Sequence, residues 1–423
     1  MNPTPAPEAA APASSGPPPP SPDHAGAARF YGPDIARDPA GLYEELRGRY
    51  GPVAPVLLDG DVPAWFVMGY RELHHVTSRP EWFARDCRRW NQWDRVGHDW
   101  PLMPYVMWTP SVMFAEGAEH QRRAGAIGDA LDAVDRTDLR ALCQQAADGL
   151  VDAFCAEGEA DLVAQYAHHI PAMVVARLYG LPEAEVPALV RDVVLSLDVT
   201  ADAGGAHQRL HARLDALVAD RRAAPRDDVP SRLLLHPAGL SDAEVVIDLL
   251  VVLAAAQAPT GNWIGNTLRL MLTDDQFSLT LQGGRSSAGE ALNEVLWKNT
   301  PTQNFIGRWA VQTCELGGRG IRRGDMLVLG LSAANADPRL YAGLPDIYGS
   351  NRAQMSFGHG EHGCPFPAPE IAEMIARTAV ESLLDRLPDV RLAVPPDRLE
   401  WRPSLWMRGL FELPARFTPR RWG

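Results

Sequence analysis

The hydrophobic and polar positions of this chain change period several times, and each change marks an element. PAGLYEELRGRY (39–50) has helical spacing. VAPVLLDG (53–60) and AWFVMG (64–69) read as strands punctuated by glycine and proline, and RELHHVTS (71–78) reads as a second helix. From about residue 119 to 270 the spacing is mostly helical, with breaks at Gly158, at Gly180-Leu181-Pro182 and across 223–230. The longest helical stretch is 241–272, SDAEVVIDLLVVLAAAQAPTGNWIGNTLRLML. Ser241 and Glu244 have capping-box spacing at its start. Pro259, in its middle, removes one backbone hydrogen bond and predicts a kink. The last third mixes short strands, turns and helices, among them an apolar-periodic stretch at 372–387, AEMIARTAVESLLDRL.

Composition narrows the class. The chain has 423 residues, 46 % apolar and 22 % charged, which is ordinary for a globular protein. A net charge of −13 argues against nucleic acid and against an anionic membrane surface as partners. Residues 1–28 are rich in proline, alanine and serine and read as a disordered tail without the apolar core of a signal peptide. The longest apolar run, 249–256, is too short to span a bilayer. Five cysteines, Cys87, Cys143, Cys155, Cys314 and Cys364, are scattered with no C-x-x-C pair. Neither a disulfide framework nor a zinc site is indicated, and a reducing cytoplasm fits.

The chemistry concentrates at Cys364. It ends the run Phe357-Gly358-His359-Gly360-Glu361-His362-Gly363-Cys364-Pro365. The glycines let the backbone pass close to a bulky flat ligand. Such a loop can aim backbone N–H groups at the sulfur, and the helix that follows favours an anion at its N-terminus. One thiolate held in this way suits an iron atom with a single protein ligand.

This segment resembles the haem-binding signature of the cytochromes P450, Phe-Gly-x-Gly-x-(His/Arg)-x-Cys-x-Gly. Phe357, Gly358, Gly360, His362 and Cys364 match, whereas Phe366 replaces the last glycine. The resemblance implies a mainly α fold with small β-sheets, a single haem domain over 29–423, and haem b with Cys364 as axial iron ligand. Other stretches extend the likeness. Glu119-His120-Gln121-Arg122-Arg123 resembles the helix start at which a histidine contacts a haem propionate; His120 matches, but the arginine usual four residues on is Ala124. In 291–310, Glu294 matches the glutamate of Glu-x-x-Arg, Trp297 stands in the arginine's place, and Arg308 matches the propionate arginine. Phe357, Gly358 and His362 complete the implied cofactor set.

The stretch 241–272 resembles the family's helix across the haem face, where an acid–alcohol pair delivers protons. Aligned on Asn262-Trp263-Ile264-Gly265-Asn266, the pair falls on Ala258 and Pro259, and Thr260 lies about 100° further round. Gln257 is then the polar candidate for organising a water chain. Ala255, Ala258, Asn304, Ile306 and Leu405 are the implied substrate-pocket residues. Trp90, Trp93, Trp100 and Trp108 form either loop packing or an aromatic wall over the cofactor. The implied function is oxidation of an apolar or aromatic small molecule in natural-product metabolism, with coupling of indole or phenol rings favoured over hydroxylation. The expected protein is a cytoplasmic monomer with a ferredoxin-type electron donor. The competing class, a non-catalytic P450-like auxiliary protein, generally lacks the thiolate cysteine, which this chain has.

Overall fold

The computed structural model describes residues 24–32, 38–197, 203–274, 286–341 and 351–420. The helical periodicity of the sequence becomes α1 (Pro39–Tyr50), α2 (Tyr70–Thr77), α3 (Gly117–Asp132), α4 (Arg136–Phe154), α5 (Ile170–Leu178), α6 (Ala203–Ala223), α7 (Asp242–Thr273), α8 (Ser286–Lys298) and α9 (Ala368–Arg386), with further helices between them. α7 is the spine. It packs against α5, α6, α8 and α9, and its Ser241–Glu244 capping box forms at the expected place. It runs through Pro259 as one continuous helix. By length and composition α7 could cross a membrane; in this fold it is a core helix held by its neighbours. α9 begins at Ala368, four residues earlier than the apolar periodicity suggested, because Ala368 N–H already bonds the Pro365 carbonyl.

A six-stranded sheet flanks the helices. Its strands are β1 (Ala28–Arg29), β2 (Val53–Leu58), β3 (Val62–Val67), β4 (Phe83–Ala84), β6 (Phe305–Ala310) and β9 (Met326–Leu329), in the spatial order β1-β2-β3-β9-β6-β4. β5 (Glu159–Asp161) belongs to a three-stranded sheet with β10 (Arg391–Leu392) and β11 (Pro414–Arg416), and β7 (Cys314–Leu316) pairs with β8 (Arg319–Ile321). Both faces of the large sheet are covered. Alternate residues of β3 serve different apolar clusters, Ala64 and Phe66 one, Trp65 and Val67 the other. β6 departs from regular pairing with β9 between Ile306 and Arg308, leaving Gly307 as an extra residue.

The folded part starts earlier than composition suggested. The His24 ring lies 4.7 Å from Trp65 and bonds the Ala64 carbonyl, and β1 pairs with β2. Packing against the sheet therefore overrides the polar, proline-rich bias at 24–28, and the proposed tail through residue 23 lies outside the described residues.

One buried ion pair fixes the loop before α3. Arg123 donates to both oxygens of Asp248 on α7 (2.6 and 2.8 Å) and to the Pro110 carbonyl, while Asp248 accepts from Val112 N–H. Both residues are buried. Removing one partner leaves the other charge desolvated. Arg123→Ala is expected to cost about 3–5 kcal/mol in urea unfolding, and a loss below about 1 kcal/mol would mean that water already solvates the pair.

Candidate functional site

The Cys364 loop is closed by its own backbone. Gly358 N–H bonds the Met355 carbonyl (2.8 Å), Cys364 N–H the Phe357 carbonyl (2.8 Å), and Gly363 N–H the Gly360 carbonyl (2.9 Å). Gly358 and Gly360 have φ of 72° and 73°, in the left-handed region. A Cβ on Gly360 would lie 2.1 Å from the Thr77 carbonyl oxygen, so the loop sits directly on the end of α2. His359 completes that seat, with Nδ1 3.2 Å from Thr77 Oγ1 and its ring 4.0 Å from His74. On the other side the Phe357 ring stands edge-on to Trp263 of α7 at 5.8 Å.

Cys364 is exposed, fronting open space, yet the protein around its other sides pushes its thiol up to about 12. The expected backbone donors to sulfur are not found: among the described residues no hydrogen bond reaches Sγ. The loop places the sulfur without stabilising an isolated thiolate.

The support behind the loop differs from a Glu–Arg lock. Trp297 is buried, and its Nε1–H donates to the Asn351 carbonyl (3.0 Å), which also accepts from Asn293 Nδ2 (3.2 Å). Glu294 accepts from Lys298 one turn along α8 (2.7 Å). An ion pair that the motif comparison did not anticipate joins the same segment to α9: Arg352 donates to Glu373 (2.6 Å), which also takes Arg377.

To one side of the loop lies a group of two histidines and two arginines. The His120 and His362 rings are 4.1 Å apart. Arg308 is 3 % exposed and donates Nη1–H to the Gly307 carbonyl (2.8 Å), while its buried Nε has no partner. Arg85, which the motif comparison missed, is 2 % exposed and donates to the Met113, Ile306 and Gly307 carbonyls (3.1, 3.2 and 2.8 Å). Burial pushes Arg308 well below the usual range and Arg85 down to about 10. Burial and the two arginines push His120 to about 4 and His362 to about 2, so both are neutral near pH 7. The Glu361 carboxylate, 3.5 Å from His120 Nδ1, therefore makes no ion pair there. His120, Glu361 and His362 have metal-ligand spacing, but the field of two buried guanidiniums opposes a cation. The same field suits carboxylates.

α7 presents an open stripe in mid-helix. Ala254 and Ala255 are exposed, and Val251, Ala258 and Pro259 partly so. Ala255 and Ala258 thus stand where a ligand can reach them. Gln257 does not: it is buried on the other side, and its Nε2 donates to the His168 carbonyl (3.1 Å). Asn304 and Ile306 also differ from expectation. The Asn304 amide is buried, donating to Tyr43 Oη and the Leu405 carbonyl, and Ile306 packs in an apolar cluster beside the sheet. The bulge at Gly307 decides this, since it shifts which β6 side chains point outward; Phe305 is the exposed one. Leu405 is partly buried against that cluster. Of the four tryptophans, Trp90 packs against Trp93 and Trp100 at 5.1 and 5.5 Å, which is loop packing, whereas Trp108 is exposed beneath Arg88.

A thiol facing open space, an apolar helix stripe and two buried guanidiniums fit a flat apolar group that carries a metal and two carboxylates. The loop geometry yields a direct test. In Gly360→Ala the strained φ and the clash with Thr77 must lift the loop, with an expected loss of about 1–3 kcal/mol or more and a shifted cysteine environment. Denaturant unfolding and thiol-reactivity rates measure the two effects; unchanged values for both would contradict the seat on α2.

No protein-family model matches the chain. Relatives do. It is 31 % identical over 382 residues to biflaviolin synthase CYP158A1 of Streptomyces coelicolor, an alignment covering 87 % of this chain and 90 % of that protein. Among solved structures it is similar to CYP154C4 of a Streptomyces species, with 26 % identity, a TM-score of 0.82 and coverage of 93 % and 98 % of the two chains. It is likewise similar to the P450 enzyme CxnD for C–S bond formation in chuangxinmycin biosynthesis, with 26 % identity, a TM-score of 0.78 and the same coverage. The fold, the cysteine loop and these likenesses together place the chain in the cytochrome P450 family of haem-dependent oxidoreductases.

Proposed function

We propose that Cys364 Sγ is the axial ligand of haem b, with Phe357 and Gly358 shaping the loop and His120, His362 and Arg308 forming the wall that takes the propionates. Bound haem supplies one-electron oxidation and dioxygen activation, with thiolate donation from the cysteine. The protein's part is orientation, water exclusion and proton handling. Arg308 offers an unpartnered buried Nε–H, and the adjacent His120 and His362 rings offer N–H groups. The raised thiol pKa means that the site takes metal with release of a proton.

The substrate in this reading is an apolar or aromatic small molecule of natural-product metabolism, and the reaction is ring coupling rather than hydroxylation. One observation carries it: on the accessible stripe of α7, Val251, Ala254, Ala255, Ala258 and Pro259 include no side chain able to hold or move a proton. Gln257, the nearest amide, is engaged with His168. A positioned general acid contributes about 10²–10⁴-fold, so without one on this stripe the protons that dioxygen activation consumes would come from water or from a substrate hydroxyl or indole N–H, which suits a substrate that is coupled through those same groups. The solved relative named for C–S bond formation is consistent with bond-forming chemistry on this fold. Electrons come from a protein donor of the ferredoxin type to a cytoplasmic monomer. Phe366, 64 % exposed two residues beyond Cys364, rims a cleft of about 500 Å³ shared with Gln121, Ala124 and Gly128 and gives such a donor a short approach.

Two measurements decide between readings. Cys364→Ser should abolish the thiolate-type band in the reduced, carbon monoxide difference spectrum; a retained band would remove the ligand assignment and revive the auxiliary-protein reading. With a turned-over aromatic substrate under heavy-isotope dioxygen, the major product should carry no label. Stoichiometric label in that product would identify a hydroxylase instead.

A further inference from the structure

Arg85 is an expensive residue to bury, and among the described residues no carboxylate makes direct contact with it. It follows β4, whose Ala84 pairs with Trp309 of β6. Its Nε and Nη1 are occupied by three backbone carbonyls, and its Nη2 has no hydrogen-bond partner among the described residues. Among the described residues no carboxylate makes a salt bridge with it; Glu116, the acid on the same loop, pairs with Arg89 and caps Asp86 N–H. Its flanks are aromatic, with Phe114 and Phe305 ring centroids at 5.6 and 4.9 Å.

Arg85 also shares an acceptor with a second cation. The Gly307 carbonyl accepts from Arg85 Nη1 and from Arg308 Nη1, each at 2.8 Å. Two like charges are thus drawn onto one oxygen inside the protein. Three carbonyl bonds offset part of the desolvation of Arg85, but its charge remains uncompensated. Such a pair persists where an anion completes it. Two guanidiniums match the two carboxylates of one haem b in charge.

We propose that Arg85 is a second propionate-binding arginine, which with Arg308 neutralises the two haem carboxylates across the Gly307 bulge. The proposal rests on the reading of the His120–His362–Arg308 wall as the propionate pocket. A purely structural alternative is that Arg85 pins the Met113 loop to β6. The alternatives differ in sign. As a structural pin, Arg85 stabilises the haem-free protein; as a propionate residue, it burdens the haem-free protein and strengthens haem binding.

The experiment is a cycle of protein and cofactor variants. Wild type, Arg85→Met and Arg85→Lys are prepared haem-free and reconstituted with haem b or with its dimethyl ester, whose propionates are uncharged. Thermal unfolding of the haem-free proteins and haem-transfer rates to apomyoglobin are measured. With haem b, Arg85→Met should release the cofactor about 10-fold faster or more, as expected for loss of a hydrogen bond to a charged group. Its reduction potential should fall, and its haem-free form should melt no lower than wild type. Arg85→Lys, which keeps the charge, should retain haem b better than Arg85→Met. With the dimethyl ester, wild type and Arg85→Met should release cofactor at equal rates. Equal release of haem b by wild type and Arg85→Met, or an equal difference with both cofactors, overturns the proposal while leaving the haem site standing. If Arg85→Met does not fold haem-free, Arg85 is a structural pin and the proposal fails. If wild type takes up no haem, the propionate-pocket reading fails with it.

Discussion

The shared Gly307 carbonyl is the point on which the haem side of this molecule turns. Two guanidiniums converge on it from β6 and from the end of β4, and among the described residues neither has a carboxylate in salt-bridge contact. The bulge makes this possible, because an extra residue in β6 turns one carbonyl out of the ladder and toward both cations. The same irregularity buries Ile306 and leaves Phe305 exposed at the strand head. Electrostatics spreads from this centre. The arginines and burial hold His120 and His362 neutral, so each ring offers a single N–H to an anionic ligand, while the two guanidiniums make a metal cation unwelcome beside them.

Behind the cysteine the protein solves a packing problem in an unusual way. An arginine in place of Trp297 would bring a charge that Glu294 would have to neutralise. Here Trp297 brings a ring and one N–H, and that N–H is used on the Asn351 carbonyl. Glu294, left without its usual partner, is paired along its own helix with Lys298. Ionic fastening of the segment before the loop moves to Arg352 and Glu373, directly onto the helix that follows Cys364. The pair is part-exposed, so its strength is modest, and the buried tryptophan supplies most of the rigidity.

α7 combines two needs in one helix. Its buried faces pack against the surrounding helices, and its open stripe is stripped of polar groups. Gly261 lets it approach the turn at His168, where a Cβ would lie 3.2 Å from the His168 Cα, and Gln257 and Asn262 bond the same residue. These polar side chains serve helix packing, which is why a chemically capable glutamine beside Ala258 does not face the ligand space.

Much was legible in the sequence because it depends on neighbours along the chain. Periodicity marked α1, α2, β2, β3 and α7; the capping box marked the start of α7; and the glycine pattern marked the Cys364 loop, whose positive φ values are local requirements. Motif likeness pointed to His120, Arg308 and Trp297; the structure sets His120 against His362, buries Arg308 and bonds Trp297 to the Asn351 carbonyl. What depended on contacts between distant segments was decided only by the tertiary structure. Which way Gln257, Asn304 and Ile306 point follows from the turn at His168, the C-terminal strand-turn and the β6 pairing. That Trp90, Trp93 and Trp100 pack on one another follows from loop closure. Arg85 was invisible in the sequence because an arginine beside an aspartate reads as a surface residue. Only strand pairing with β6 carries it into the interior, where desolvation turns an ordinary charge into a demand for an anion.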